Sequence, residues 1–174
     1  MQTPLAGAWL IEPDRIEDDR GFFARTYDRE QFAARGIDPA VVQCNTSFNA
    51  RAATLRGMHF QAPPHAEPKL VRCTRGAIFD VIVDLRPASP THRAWFGTEL
   101  TERNGHALHV PAGLAHGFQT LDDDSEVLYM MGHEHVPGAA MGVRWDDPAF
   151  AIQWPGVAER IMSERDRGYP DYVG

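Results

Sequence analysis

From Val41 to Trp154 the chain is a succession of short strand-forming runs, each about ten residues from the next and each closed by proline, glycine, asparagine or aspartate. With almost no helix between them, such runs argue for an antiparallel architecture that closes on itself or pairs two sheets, a jelly roll above others. Strands are expected at 41–45, 53–60, 69–74, 76–85, 94–100, 107–110, 117–121, 126–131, 141–145 and 151–154, with a first one at 8–12. The run from Gly76 to Leu85 alternates strictly: Phe79, Val81, Val83 and Leu85 share one face and Asp80 and Asp84 the other, the pattern of a half-buried strand. Pro13-Asp14 and Asp18-Asp19-Arg20-Gly21 read as turns, with Phe22 and Phe23 directly after them.

Helix is confined to the periphery. Asp28 to Arg35 has an aspartate cap, an early glutamate and a closing Gly36, which predicts a helix of about two turns. Ser163 with Asp166 three residues on fits a capping box that opens a last helical turn, which by itself accounts for Asp166. The expected fold is an all-β, double-sheet antiparallel barrel of the jelly-roll type with short peripheral helices, one domain over residues 1–174.

Charge and composition narrow the partners. A net charge of −7 without a lysine-arginine cluster argues against nucleic acid, so an anionic ligand has to be held by a few placed cations. Residues 1–11 lack a basic and apolar leader, and no run of about 18 apolar residues occurs, so no membrane partner is expected and the protein is expected in the cytoplasm. Cys44 and Cys73 stand in strand contexts and read as buried thiols, neither a disulfide framework nor a metal-ligand pair.

The chemistry concentrates in Leu55-Arg56-Gly57-Met58-His59-Phe60-Gln61. Alternation along an extended strand would turn Met58 and Phe60 to the core and Gly57, His59 and Gln61 to the other side, with Gly57 leaving room for a ligand beside the imidazole. A second histidine, His116, follows the turn Pro111-Ala112-Gly113 and could look into the same barrel mouth. Two such histidines raise a metal site of the cupin kind, but a His-x-His pair is needed and Gln61 stands in the second position. No metal and no other cofactor is therefore expected.

Together with Leu55–Gln61, the stretches Lys69-Leu70-Val71-Arg72-Cys73, Gly76 with Phe79-Asp80-Val81, Gly113-Leu114-Ala115-His116-Gly117-Phe118 and Trp145-Asp146-Asp147-Pro148 resemble the dTDP-4-dehydrorhamnose 3,5-epimerase family, in one register from about residue 7 to 170. The resemblance implies a metal-free cupin-type jelly roll, usually a homodimer, acting on a nucleoside-diphospho-4-keto-6-deoxyhexose on the way to rhamnose and related deoxysugars. It implies His59 as the base, Asp166 as the aspartate behind it, and Tyr129 as the proton donor on the opposite face of the sugar ring. Lys69 falls where the family places a cation near the sugar carbonyl, and Arg56 and His116 match substrate contacts. Arg20, Phe23, Gln43 and Asn45 fall on positions for the diphosphate and base, and Arg165 on a late cationic position.

Three positions depart from the family pattern. Arg25 replaces a glutamate that reads the thymine, and His135 aligns with a tyrosine that stacks on the base; a second glutamate aligns near Ala140. Glutamate accepts from an imide N–H, whereas arginine only donates, which suits an acceptor edge such as that of cytosine. A simpler expectation is that Arg25 turns to a phosphate or that a neighbouring chain supplies the base contacts. On the same scaffold a single-carbon epimerase, a ketoisomerase or a binding protein without activity are the alternatives.

Overall fold

The computed structural model describes every residue of the chain except Pro39. The described residues form β1 (Trp9–Ile11), β2 (Arg15–Asp18), β3 (Gly21–Ala24), α1 (Arg29–Ala34), β4 (Gln43–Asn49), β5 (Leu55–Gln61), β6 (Lys69–Arg75) and β7 (Ala77–Asp84). They continue with β8 (Trp95–Thr101), β9 (Ala107–Val110), β10 (Leu114–Thr120), β11 (Ser125–Met131), β12 (Ala140–Gly142) and α2 (Glu164–Arg167). One sheet has the order β1-β9-β6-β11-β4 and a second the order β12-β5-β10-β7-β8, with every pairing antiparallel. Strands β2 and β3 pair only with each other. This is the expected double-sheet antiparallel fold.

Between the sheets lies a core of Val71, Cys73, Ile78, Ile82, Leu100, Leu108, Val110, Leu114, Phe118 and Val127. Burying each such side chain contributes about 1.5–3 kcal/mol before chain entropy is subtracted. A second cluster covers the outer face of the second sheet, where Val143, Phe150, Trp154 and Tyr172 from the C-terminal segment pack on Met58, Val81, Val83 and Ala115. On the outer face of the first sheet, Phe32 of α1 packs with Leu70, Ala107, Trp9 and Ile11. Helix α1 starts as its sequence dictates, the Asp28 carboxylate accepting from the Gln31 amide at 3.0 Å.

Several expectations change. Strand β7 is buried on both faces: Phe79, Val81 and Val83 turn to the C-terminal segment, while Ile78, Asp80 and Ile82 turn inward, and Asp80 and Asp84 are fully buried. An aspartate on a strictly alternating strand thus marks an interior carboxylate rather than a wet face, Asp84 held by Arg86, Ser89 and Thr91 and Asp80 through Oδ1 by His116. The turns around Asp14 and Asp18 bracket β2, the second of them being the tip of a hairpin, β2–β3, that alternation alone did not reveal. Of the expected 141–145 strand only Met141 and Gly142 fall in β12, which starts one residue earlier at Ala140, and residues 151–154 form no strand, Ala151 having a positive φ of 50°; side chains hold them, such as the Trp154 indole donating to Trp145 O at 2.8 Å. Cys73 is buried but Cys44 is exposed, because it points outward from β4, an edge strand.

Candidate active site

The middle of β5 does not alternate simply. Arg56 pairs with Phe118 and His59 with His116, so Gly57 and Met58 together oppose the single Gly117 of β10. This bulge puts Arg56 and His59, three positions apart, on the same inward face. It needs glycine on both strands, because a methyl at Gly57 would lie 2.6 Å from Gly117 Cα, and one at Gly117 would lie 2.8 Å from Arg56 O. The space beside Gly57 is therefore taken by β10, not kept for a ligand as alternation suggested.

Arg56, His59 and Gln61 open onto a cleft of about 370 Å³ between the two sheets. The first sheet contributes Lys69 of β6, Tyr129 and Met131 of β11 and Asn45 of β4; His116 and Phe118 of β10 form the floor. Glu67, His135, Met141 and Arg165 complete the rim. His59 Nε2 is 2.7 Å from Asp166 Oδ1, and the Gly57 amide donates to Asp166 Oδ2 at 3.4 Å. Of the expected capping box only the first half forms, Ser163 Oγ accepting from the Asp166 amide at 3.1 Å, because the Asp166 carboxylate turns to His59 and Gly57. The cap and the His59 contact are one device: α2 begins where it does so that its buried aspartate meets β5. Burial pushes the Asp166 carboxyl up, but the His59 hydrogen bond and charge and the Gly57 and Ser163 contacts together hold it below the usual carboxylate range.

Lys69 is 6% exposed because it shares the inward face of β6 with Val71 and Cys73. Its ammonium lies 3.1 Å from Glu67 Oε1 and donates to His59 O at 3.3 Å, so one of its three N–H groups has no partner among the described residues. Arg56 Nε donates to Asn49 Oδ1 at 2.7 Å, and Asn49 is itself anchored through Nδ2 to Ser125 O at 3.2 Å. His116 Nε2 lies 2.7 Å from Asp80 Oδ1, both side chains being buried. Tyr129 meets the His116 ring edge-on with centroids 6.0 Å apart. Burial and the nearby Asp80 charge push the Tyr129 hydroxyl well above its ordinary pKa, against weaker pulls from Arg56 and Ser47, so the phenol stays protonated.

Of the residues named from sequence, His59, Asp166, Tyr129, Lys69, Arg56, His116, Asn45, His135 and Arg165 come together here. Gln43 stands beside them, accepting from the His135 amide at 3.0 Å. Arg20, Phe23 and Arg25 do not reach this cleft within the chain. Arg20 pairs with Asp18 at the tip of the β2–β3 hairpin, Phe23 is 66% exposed, and Arg25 pairs with Asp28 at 2.7 Å. Sequence reasoning missed Glu67, Asn49 and the partnering of Asp80 with His116. Only Asp80 had left a signal, as a carboxylate spaced between Ile78 and Ile82. Among the described residues no group of three or more His, Cys, Asp or Glu side chains could hold a metal ion.

Residues 2–173 match the model of the dTDP-4-dehydrorhamnose 3,5-epimerase family. A dTDP-4-dehydrorhamnose 3,5-epimerase of Sinorhizobium fredii is 43% identical over 166 residues, covering 95% of this chain and 85% of the relative. The crystal structure of the Bacillus anthracis dTDP-4-dehydrorhamnose 3,5-epimerase with TDP and PPi bound superposes with a TM-score of 0.95 at 42% identity, over 99% of this chain and 98% of that one. ChmJ, a 3′-monoepimerase of Streptomyces bikiniensis in complex with dTDP-quinovose, superposes with a TM-score of 0.90 at 34% identity, over 97% and 85%.

Proposed function

Because the chain belongs to the dTDP-4-dehydrorhamnose 3,5-epimerase family, we propose that it converts dTDP-4-dehydro-6-deoxyglucose to dTDP-4-dehydrorhamnose by inverting C3 and C5. The observation that carries this reading is the placement of His59 on one sheet, backed by Asp166 of α2, across the cleft from a protonated tyrosine on the facing sheet. A C4 ketone makes the C–H bonds at C3 and C5 acidic. His59 takes the proton at Nδ1, the nitrogen that Asp166 leaves free, and the C–H electron pair moves into an enolate whose charge rests on the C4 oxygen. The free N–H of Lys69 and the Arg56 guanidinium point positive charge at that oxygen; preorganised donors of this kind are worth about 3–4 kcal/mol each.

Asp166 holds Nε2–H in place and stabilises the imidazolium once it forms. Tyr129 then gives its phenolic proton to the carbon from the other side of the ring. Two groups on opposite walls return the hydrogen to the face it did not leave, which is inversion. No step requires a cofactor.

Among the described residues the hairpin β2–β3 has no strand partner in either large sheet and touches the turn after β8 through the Arg15 guanidinium, which donates to Arg103 O; it exposes Ile16, Phe22 and Phe23 at 70%, 52% and 66%. A second copy covering that surface would make the protein a homodimer and would bring Arg20, Phe23 and Arg25 to the rim of the partner's cleft, against the diphosphate and base. The enzyme works in the cytoplasm on its nucleotide sugar, with no nucleic-acid or membrane partner. A second reading, inversion at C3 alone, is favoured by the likeness to the 3′-monoepimerase ChmJ.

Proton NMR of dTDP-4-dehydro-6-deoxyglucose with the protein in deuterated water separates these readings. Loss of both the C3 and C5 signals is expected; loss of C3 alone supports the second reading. No exchange with the dTDP sugar, followed by exchange with the CDP sugar, would move the base preference to cytosine. His59→Asn should abolish exchange while dTDP binding survives.

A further inference from the structure

Asp166 is not the only residue of the C-terminal turn that meets His59. Tyr169, one residue beyond Gly168 at the end of α2, places its ring edge-on to the imidazole, with centroids 6.0 Å apart and planes at 70°. The ring is sandwiched: the Arg165 guanidinium lies 5.8 Å from its centre, and strand β12 lies against it. The β12 residue in contact is Gly142, the residue paired with His59 across the β12–β5 ladder, and a side chain at that position would collide with the tyrosine ring. The Tyr169 hydroxyl is buried and makes no well-formed hydrogen bond among the described residues, though it feels the pull of the neighbouring Arg165. Neither the hydroxyl nor the ring lines the cleft.

We propose that Tyr169 is a positioning residue that braces the His59 imidazole from behind, with Gly142 providing the space its ring occupies. The inference rests on the reading that His59 is the base. A hydrogen bond to one nitrogen fixes the direction of the ring but leaves it free to rotate about that bond. A flat edge packed against the imidazole removes the rotation, so Nδ1 stays aimed at the sugar carbon. Asp166 and Tyr169 thus act from one turn, the carboxylate as the anchor and the ring as the stop. Since the hydroxyl makes no well-formed hydrogen bond and does not reach His59, the ring does this.

The test uses the full-length protein with Tyr169→Phe, Tyr169→Leu and Tyr169→Ala, read by steady-state kinetics and by the rate of C–H to C–D exchange in deuterated water. Tyr169→Phe should stay within about twofold of the parent, because the ring remains. Tyr169→Leu fills much of the volume without a flat edge; it should keep the melting temperature near that of Tyr169→Phe and still lose roughly tenfold to a hundredfold in kcat at unchanged KM, as for any small misplacement of a reacting group. Gly142→Ala should reproduce that loss and add nothing to it in combination with Tyr169→Leu. A folded Tyr169→Leu protein with parental kcat would overturn the proposal, as would a Tyr169→Phe protein as slow as Tyr169→Leu. His59→Asn serves as the separate control: if it still exchanges protons the base reading itself fails, whatever the Tyr169 variants do.

Discussion

His109 gives the protein an acid-side weakness whose size the structure sets. It lies on the outer face of β9 between Trp9 of β1 and Leu70 of β6, is 5% exposed, and neither ring nitrogen makes a well-formed hydrogen bond. Burial pushes its pKa from 6.5 down to about 4, against smaller pulls from the Gly7 backbone and the Asp38 charge. The unfolded chain therefore takes up a proton that the folded one refuses. The stabilisation is complete above pH 6.5 and is lost as the pH falls toward 4. At about 1.4 kcal/mol per pH unit the full loss is roughly 3 kcal/mol, of which roughly 2 fall between pH 7 and pH 5. Urea unfolding of the parent and of His109→Leu at pH 7, 6 and 5 isolates this group, since all other titrations are shared. The parent should lose roughly 2 kcal/mol of stability relative to His109→Leu over that range. Parallel curves from pH 7 to 5 would refute the burial argument.

The catalytic reading makes further demands. Asp166→Asn keeps the shape but removes the carboxylate charge from a contact of 2.7 Å; a charged hydrogen bond worth about 1.5–3 kcal/mol predicts a fall in kcat of roughly tenfold to a hundredfold, read in the same NMR assay. Tyr129→Phe should still wash deuterium into the substrate through His59 while forming little inverted sugar, since exchange needs only the base and inversion needs the opposing donor. Lys69→Met should lower turnover by about 10²–10³ with binding of dTDP nearly intact. Phe23→Ser should shift sedimentation toward a monomer and weaken nucleotide binding together, because one surface serves both.

Two predictors of structure were fully local. Turn residues and period-two runs located β1 and the strands from β4 to β11, because alternation along a strand needs no partner to be read, and Asp28 announced α1 because a cap acts on its own next turn. The motif residues of β5, β6, β10 and β11 were legible as a set through their resemblance to a family. What the chain alone did not show depends on neighbours distant in sequence. The bulge that brings Arg56 to the side of His59 exists only because Gly117 approaches Gly57 from another strand. Asp80 is an interior partner of His116, and Lys69 is buried beside Glu67, because a second sheet closes over faces that alternation paints as polar. The sequence by itself determined which residues could be acid, base and cation. Only the tertiary structure decided that Asp166, 107 positions beyond His59, would stand 2.7 Å from it, since that contact requires the C-terminal segment to cross the outer face of the second sheet and turn back at Ser163.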